Sequence, residues 1–146
     1  MAFISITRLK VKSIFYLLQF MRANEASAKQ LMATPGFIAG KELINKNLTF
    51  WTLTMWKDDG SMKEFRNSVP HRKAIQKLPY WCNEASYFHW SQEDEILPEW
   101  IPASEKLLHE GKLTKVRKPS SNQLSNKFPT IKWKKLERVF KPLSQP

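Results

Sequence analysis

From Leu48 to Trp56 the chain reads LTFWTLTMW, and large side chains fall on both faces of its alternation. Phe50, Thr52, Thr54 and Trp56 share one face of a period-two strand; Thr49, Trp51, Leu53 and Met55 share the other. Neither face suits water, so the strand belongs in a sheet covered on both sides. Lys57-Asp58-Asp59-Gly60 then breaks the strand. Ser61 with Glu64 three residues on has the pattern of a capping box, which predicts a helix whose apolar face begins with Met62 and Phe65. The remainder of the chain reads as what covers those two faces.

Phe3 to Val11 alternates cleanly and predicts the first strand. Ser13 is a candidate cap for a helix on which Ile14, Leu17, Leu18 and Met21 recur at helical spacing, continuing to Ala33. Thr34-Pro35-Gly36 ends it. Phe37 to Ile44 predicts a second strand, with Asn45-Lys46-Asn47 a short hairpin into the Leu48 strand. Pro70 interrupts the helix begun at Ser61; it restarts near His71, runs to about Leu78 and is closed by Pro79. Ala85 to Ser91 predicts a fourth strand. The order βαββαβ is that of an α+β, ferredoxin-like sandwich: four antiparallel strands with helices on one face. Ile4, Ile6, Trp51, Leu53 and Met55 would then lie bare on the other face, an apolar patch that predicts a homodimer packed through the open sheet face.

Residues 1–97 thus form the predicted core domain, 98–118 a helix and arm packed on it, and 119–146 a basic, mobile tail. Pro102-Ala103-Ser104 opens the predicted helix through Leu107 and Leu108 to Gly111, and Leu113 to Arg117 forms an edge strand or extended arm. Trp133, Leu136, Val139 and Phe140 would make an apolar stripe on a short tail helix. The net charge of +11 is uneven: 13 basic and 9 acidic residues precede Pro98, against 11 and 4 from there on. That locates the excess in a solvated extension, and nucleic acid is not the expected partner. Cys82 stands alone, which rules out an intrachain disulfide and fits a reducing compartment. With neither a leader-like start nor an apolar run near the ~20 residues of a span, a cytoplasmic protein without a membrane partner is expected.

The sequence has no phosphate-cradling glycine loop and no nucleophile elbow, and His71, His89, His109 and Cys82 lack metal-site spacing. No metal is expected. Glu93-Asp94-Glu95 reads as a solvated turn. The informative residues are polar ones on faces that should be apolar. Ser5 and Thr7 on the first strand, with Thr52 and Thr54 beside Trp56, have hydroxyls that a dry core would penalise unless they are bonded. They describe either backbone-satisfied core hydroxyls or a pocket with apolar walls and a few polar anchors. His71 follows Pro70 at a helix start, where the helix dipole favours the neutral imidazole that accepts a proton or ligates iron. Asn67, Tyr80 and Trp81 are candidates for the pocket mouth. Arg66 and Arg72 are solvated or pair with an acidic ligand group, and His89 has a satisfied or interface role.

The run LTMWKDDGSMKEFRNS after a strand-helix-strand start resembles the dimeric α+β barrel superfamily, which includes antibiotic-biosynthesis monooxygenases and haem-degrading monooxygenases. SITRLKV, PGFIAG, FRNSVPHRKAI and WCNEASYFHW are similar to a bacterial group in it, DUF3291, with spheroidene-monooxygenase-like relatives. The resemblance spans about Phe3 to Trp90 and implies a dimeric α/β barrel. It places Trp56 where haem-degrading members hold a tryptophan over the porphyrin, Thr7 in place of a strand asparagine, and Ile75 in place of the haem-ligating histidine. The implied function is a monooxygenase-like protein that binds a flat, mostly apolar molecule and needs no cofactor, with His71 as general base and Trp56 as a stacking wall. Ser5, Thr7, Thr52, Thr54, Asn67, Arg72 and Ile75 would contact the ligand. Two alternatives stand beside it: a haem-binding protein using His71, and a non-catalytic binding or interaction module.

Overall fold

A computed structural model of the chain describes residues 1–132 and 136–143. The predicted core is there: β1 (Ala2–Val11), α1 (Ile14–Ala33), β2 (Phe37–Asn45), β3 (Thr49–Trp56), α2 (Asp59–Asn67), α3 (Val69–Trp81) and β4 (Cys82–Gln92). It is followed by α4 (Trp100–Glu110), β5 (Lys112–Leu113), α5 (Ser121–Ser125) and β6 (Leu136–Phe140). Among the described residues the strands form one antiparallel sheet, in the order β5-β4-β1-β3-β2-β6. The α+β ferredoxin-like core holds the centre, and the last two strands extend its edges.

β3 is covered on both sides, as its composition demands. Trp51, Leu53 and Met55 are at most 1% exposed on one face, and Phe50 and Trp56 are buried on the other. Helices α1, α2 and α3 cover the Trp56 face. The opposite face is not bare, which corrects the expectation of an open sheet surface for a homodimer. Trp100, Ala103 and Leu107 of α4, with Ile131, pack onto Ile4, Ile6, Leu43, Trp51, Leu53 and Met55. Further along the same face, a buried ion pair joins Arg8 Nη1 to Glu84 Oε1 at 2.6 Å. Ser120 Oγ donates to Glu84 Oε2, and the Phe128 ring lies 4.5 Å from the Arg8 guanidinium. The chain's own C-terminal segment therefore stands where a second sheet was expected, because α4 carries an apolar stripe spaced to match.

Local details differ where competing residues share a job. Asp58, not Ser61, caps α2: its Oδ1 accepts from the Ser61 backbone N–H and from Ser61 Oγ, each at 2.8 Å. Ser13 makes no side-chain cap bond on α1. The buried face of α1 is Phe20, Ser27, Ala28 and Leu31, while Ile14, Leu18 and Met21 of the predicted stripe are exposed. α3 starts before His71 and runs through Pro79, whose missing N–H falls in the last turn. Of the predicted arm Leu113 to Arg117, Leu113 pairs as a strand along β4, together with Lys112 before it. Leu136, Val139 and Phe140 lie on a strand beside β2 rather than on a helix, and Trp133 lies outside the described residues.

Candidate ligand pocket

A cavity of about 370 Å³ lies between the helices and the sheet. Its floor follows from strand register, since residues directly opposite in antiparallel strands share a face. One rung across the sheet runs Glu42, Thr52, Thr7, Tyr87; the next runs Gly40, Thr54, Ser5, His89. Two polar rungs thus cross a floor that is apolar on both sides, with Phe50 and Leu9 beyond one rung and Phe3 and Trp56 beyond the other. The roof comes from α1 through Phe20, Asn24, Ser27 and Leu31, and from α3 through His71, Ile75, Leu78 and Trp81. Apolar walls with a few converging polar groups are the usual make-up of a small-molecule site.

Trp56 is fully buried and lines this cavity beside the rings of Phe37 and Phe65. Its Nε1–H donates to Thr54 Oγ1 at 2.9 Å, which satisfies the indole and fixes the threonine hydroxyl. Thr54 is therefore a partnered core hydroxyl that also faces the cavity. His71 stacks on Phe65 with ring centroids 4.4 Å apart, and its Nδ1 lies 3.4 Å from Ser27 Oγ. Burial, and after it the charge of Arg66, lowers the imidazole pKa to about 4. The ring is neutral at neutral pH, as the sequence suggests. Desolvation, rather than a helix dipole, is the leading cause.

Ser5, Thr7, Thr52, Thr54 and Ile75 line the cavity with His71 and Trp56, as does Trp81, whose Nε1–H donates to Gln19 Oε1 at 3.1 Å. Asn67 and Arg72 do not; both are exposed on the outer sides of α2 and α3. Tyr80 is also outside, stacked against the Arg117 guanidinium. Arg66, exposed on α2, reaches the rim. His89 lines the cavity between the rings of Phe3 and Tyr87, and burial, with smaller effects from Arg66, Lys112 and Lys63, lowers its pKa.

The sequence reading missed a carboxyl. Glu42 is 3% exposed and lines the cavity, with Oε2 accepting from Asn24 Nδ2 at 2.7 Å. Burial raises its pKa, against the smaller opposing effects of the Asn24 bond and the Arg138 charge. Arg138 itself is held by Glu25. A signal for this pole was available: Phe20, Asn24, Ser27 and Leu31 recur at four-three-four spacing, an apolar stripe interrupted by an amide and a hydroxyl.

The arrangement can sandwich a flat apolar molecule between floor and roof, accept a proton at His71 and hydrogen-bond at Glu42. Among the described residues, no cluster of three His, Cys, Asp or Glu side chains could hold a metal ion. Haem iron would be held by His71 of α3 or by His89 of β4, the two imidazoles that line the cavity, because Ile75 is aliphatic.

No family model matches the chain, and no curated protein matches it. Solved structures do. The cofactor-independent oxygenase SnoaB from Streptomyces nogalater matches with a TM-score of 0.54 and 14% identity, over 67% of this chain and 98% of its own. Rv0793 from Mycobacterium tuberculosis matches with a TM-score of 0.58 and 10% identity, over 65% and 98%. A protein from Nitrosomonas europaea, named as a candidate antibiotic biosynthesis monooxygenase, matches with a TM-score of 0.57 and 13% identity, over 64% and 92%. These likenesses establish the fold alone: a ferredoxin-like α+β core of the kind found in the antibiotic biosynthesis monooxygenases. About a third of this chain lies outside the match.

Proposed function

We propose that this protein binds a flat, mostly apolar small molecule bearing an acidic hydroxyl, and promotes its oxygenation without a resident cofactor. His71 takes the hydroxyl proton, and the resulting electron-rich anion is oxidised by dioxygen to a quinone: a ring C–H bond is replaced by a bond to one oxygen atom, and the other oxygen leaves as water. Trp56 and Phe65 provide flat walls, and Thr7, Thr52 and Ser5 hold the ligand's oxygens over the floor. The observation that carries the reading is the placement of His71: its ring stacks on Phe65 and its Nδ1 lies 3.4 Å from Ser27 Oγ in the roof of a cavity with largely apolar walls, where burial keeps it neutral at working pH. A low pKa makes it a weak base, so the substrate hydroxyl has to be correspondingly acidic. SnoaB, a cofactor-independent oxygenase on the same fold, supports the reaction class.

Absorption and mass spectrometry of protein purified without added ligand, followed by oxygen-electrode assays with polycyclic phenols, test it. Ligand-dependent oxygen uptake that His71→Ala lowers by roughly 10²-fold or more is the expected result. Binding of the same phenols with no oxygen uptake would leave a binding module instead. A Soret band in the purified protein would favour the haem alternative.

A further inference from the structure

The first two turns of α1 present Ile14, Phe15, Leu18 and Met21 to water, at 74, 86, 61 and 46% exposure. These positions lie on one side of the helix, so the four side chains form a continuous apolar ridge. Other parts of the chain meet at the same end of the molecule. The Lys12 N–H donates to the Trp81 carbonyl at 2.8 Å, the Val11 N–H to the Leu48 carbonyl at 3.0 Å, and the Arg117 N–H to the Pro79 carbonyl at 2.9 Å. These bonds gather the start of α1, the β2–β3 hairpin, the end of α3 and the irregular segment after β5. Together they carry Lys12, Arg22, Lys46, Lys77, Arg117 and Lys118, and no acidic residue occurs within 11–22, 45–48, 76–81 or 114–119. The nearest acid along α1, Glu25, is bound to Arg138.

We infer that this end is a docking surface for an anionic lipid bilayer, with the Ile14–Met21 ridge entering the headgroup boundary and the surrounding lysines and arginines meeting lipid phosphates. An apolar helix face flanked by basic residues is the make-up of an interfacial helix, whose binding adds buried apolar area to attraction for anionic lipid. Among the described residues, no helix is long and apolar enough to cross a membrane, so the attachment is peripheral. Charge argues against the other occupants. A second copy seated two-fold on this patch would set the basic ring against itself. A nucleic acid would engage the ring but leave Ile14, Phe15 and Leu18 in water. Phe20, Leu78 and Trp81 of the pocket belong to the same ends of α1 and α3, so the cavity begins close behind the docking face. The inference stands whether or not the pocket is catalytic.

Flotation of the full chain with phosphatidylcholine vesicles, with and without phosphatidylglycerol, tests it. Binding is expected to the phosphatidylglycerol vesicles alone, and to weaken as salt screens the attraction. Phe15→Ser with Leu18→Ser, both at exposed positions, should lower that binding roughly ten-fold or more while the circular dichroism and thermal midpoint stay put. Lys46→Glu with Lys77→Glu should lower it as well. Absence of binding to phosphatidylglycerol vesicles overturns the inference, as does binding that the Phe15/Leu18 pair leaves unchanged. A dimer by light scattering that this pair splits would reassign the ridge to a contact between copies. Single-stranded RNA bound equally by the pair and the parent, with no vesicle binding, would reassign the ring to nucleic acid.

Discussion

His71 and Glu42 impose opposite pH trends on the same cavity. The folded-state pKa of His71, about 4, lies below the ordinary value of 6.5, so the unfolded chain binds the proton first. Its contribution to stability is complete above pH 6.5 and is lost as pH falls toward 4. Glu42 has the reverse sign: its raised pKa means the folded chain holds its proton longer, and stability drains as pH rises past the unfolded carboxyl value near 4.5. Thermal midpoints measured from pH 4 to 8 should show the acid-side fall shrink in His71→Phe and the opposing slope shrink in Glu42→Gln. Glu42→Gln preserves an acceptor for Asn24, whereas Glu42→Ala leaves the half-buried amide without one and should cost about 1 kcal/mol. A denaturant titration separates the two. His71 was legible in the sequence because a histidine after a helix-start proline is conspicuous. Glu42 was hidden because its neighbour Lys41 is also buried on the opposite face, and a strand carrying KE gives no hint of which charge turns inward.

Among the elements, those resting on local chemistry were readable and those resting on a distant partner were not. The period-two pattern of β3 and the Pro-Gly stop after α1 needed nothing beyond their own residues. Gly36 is such a case in its backbone, at φ +89°, and tertiary packing adds to it, because Ser61 of α2 stands within 2.5 Å of where a Cβ would be. Gly36→Ala should cost more than about 1 kcal/mol in chemical denaturation. β6 lies outside that logic, since Leu136–Phe140 is a strand only because β2 offers a free edge, and the same apolar positions fit a helix as well. The cap of α2 was misread for a similar reason, with Asp58 and Ser61 both good caps and three residues apart. Asp58→Ala should lower stability by about 1 kcal/mol, and Ser61→Ala, which keeps the backbone bond, by less.

For the molecule as a whole, α4 matters most. The sequence showed correctly that Ile4, Ile6, Trp51, Leu53 and Met55 need cover, and placed the C-terminal helix near the core without matching the two. The indole of Trp100 is 3% exposed; its Nε1–H donates to Glu137, and the Lys41 ammonium lies 5.2 Å from its ring. Trp100→Ala should therefore cost about 3–5 kcal/mol and leave part of the sheet face wet. Light scattering on that variant is expected to show more self-association than the parent.

A sheet roofed by its own chain has a kinetic corollary. Where a wall is borrowed from another molecule, dilution strips it away and specific activity falls with concentration. Here α4 travels with the sheet face it covers, so the melting point should hold constant from micromolar to nanomolar protein.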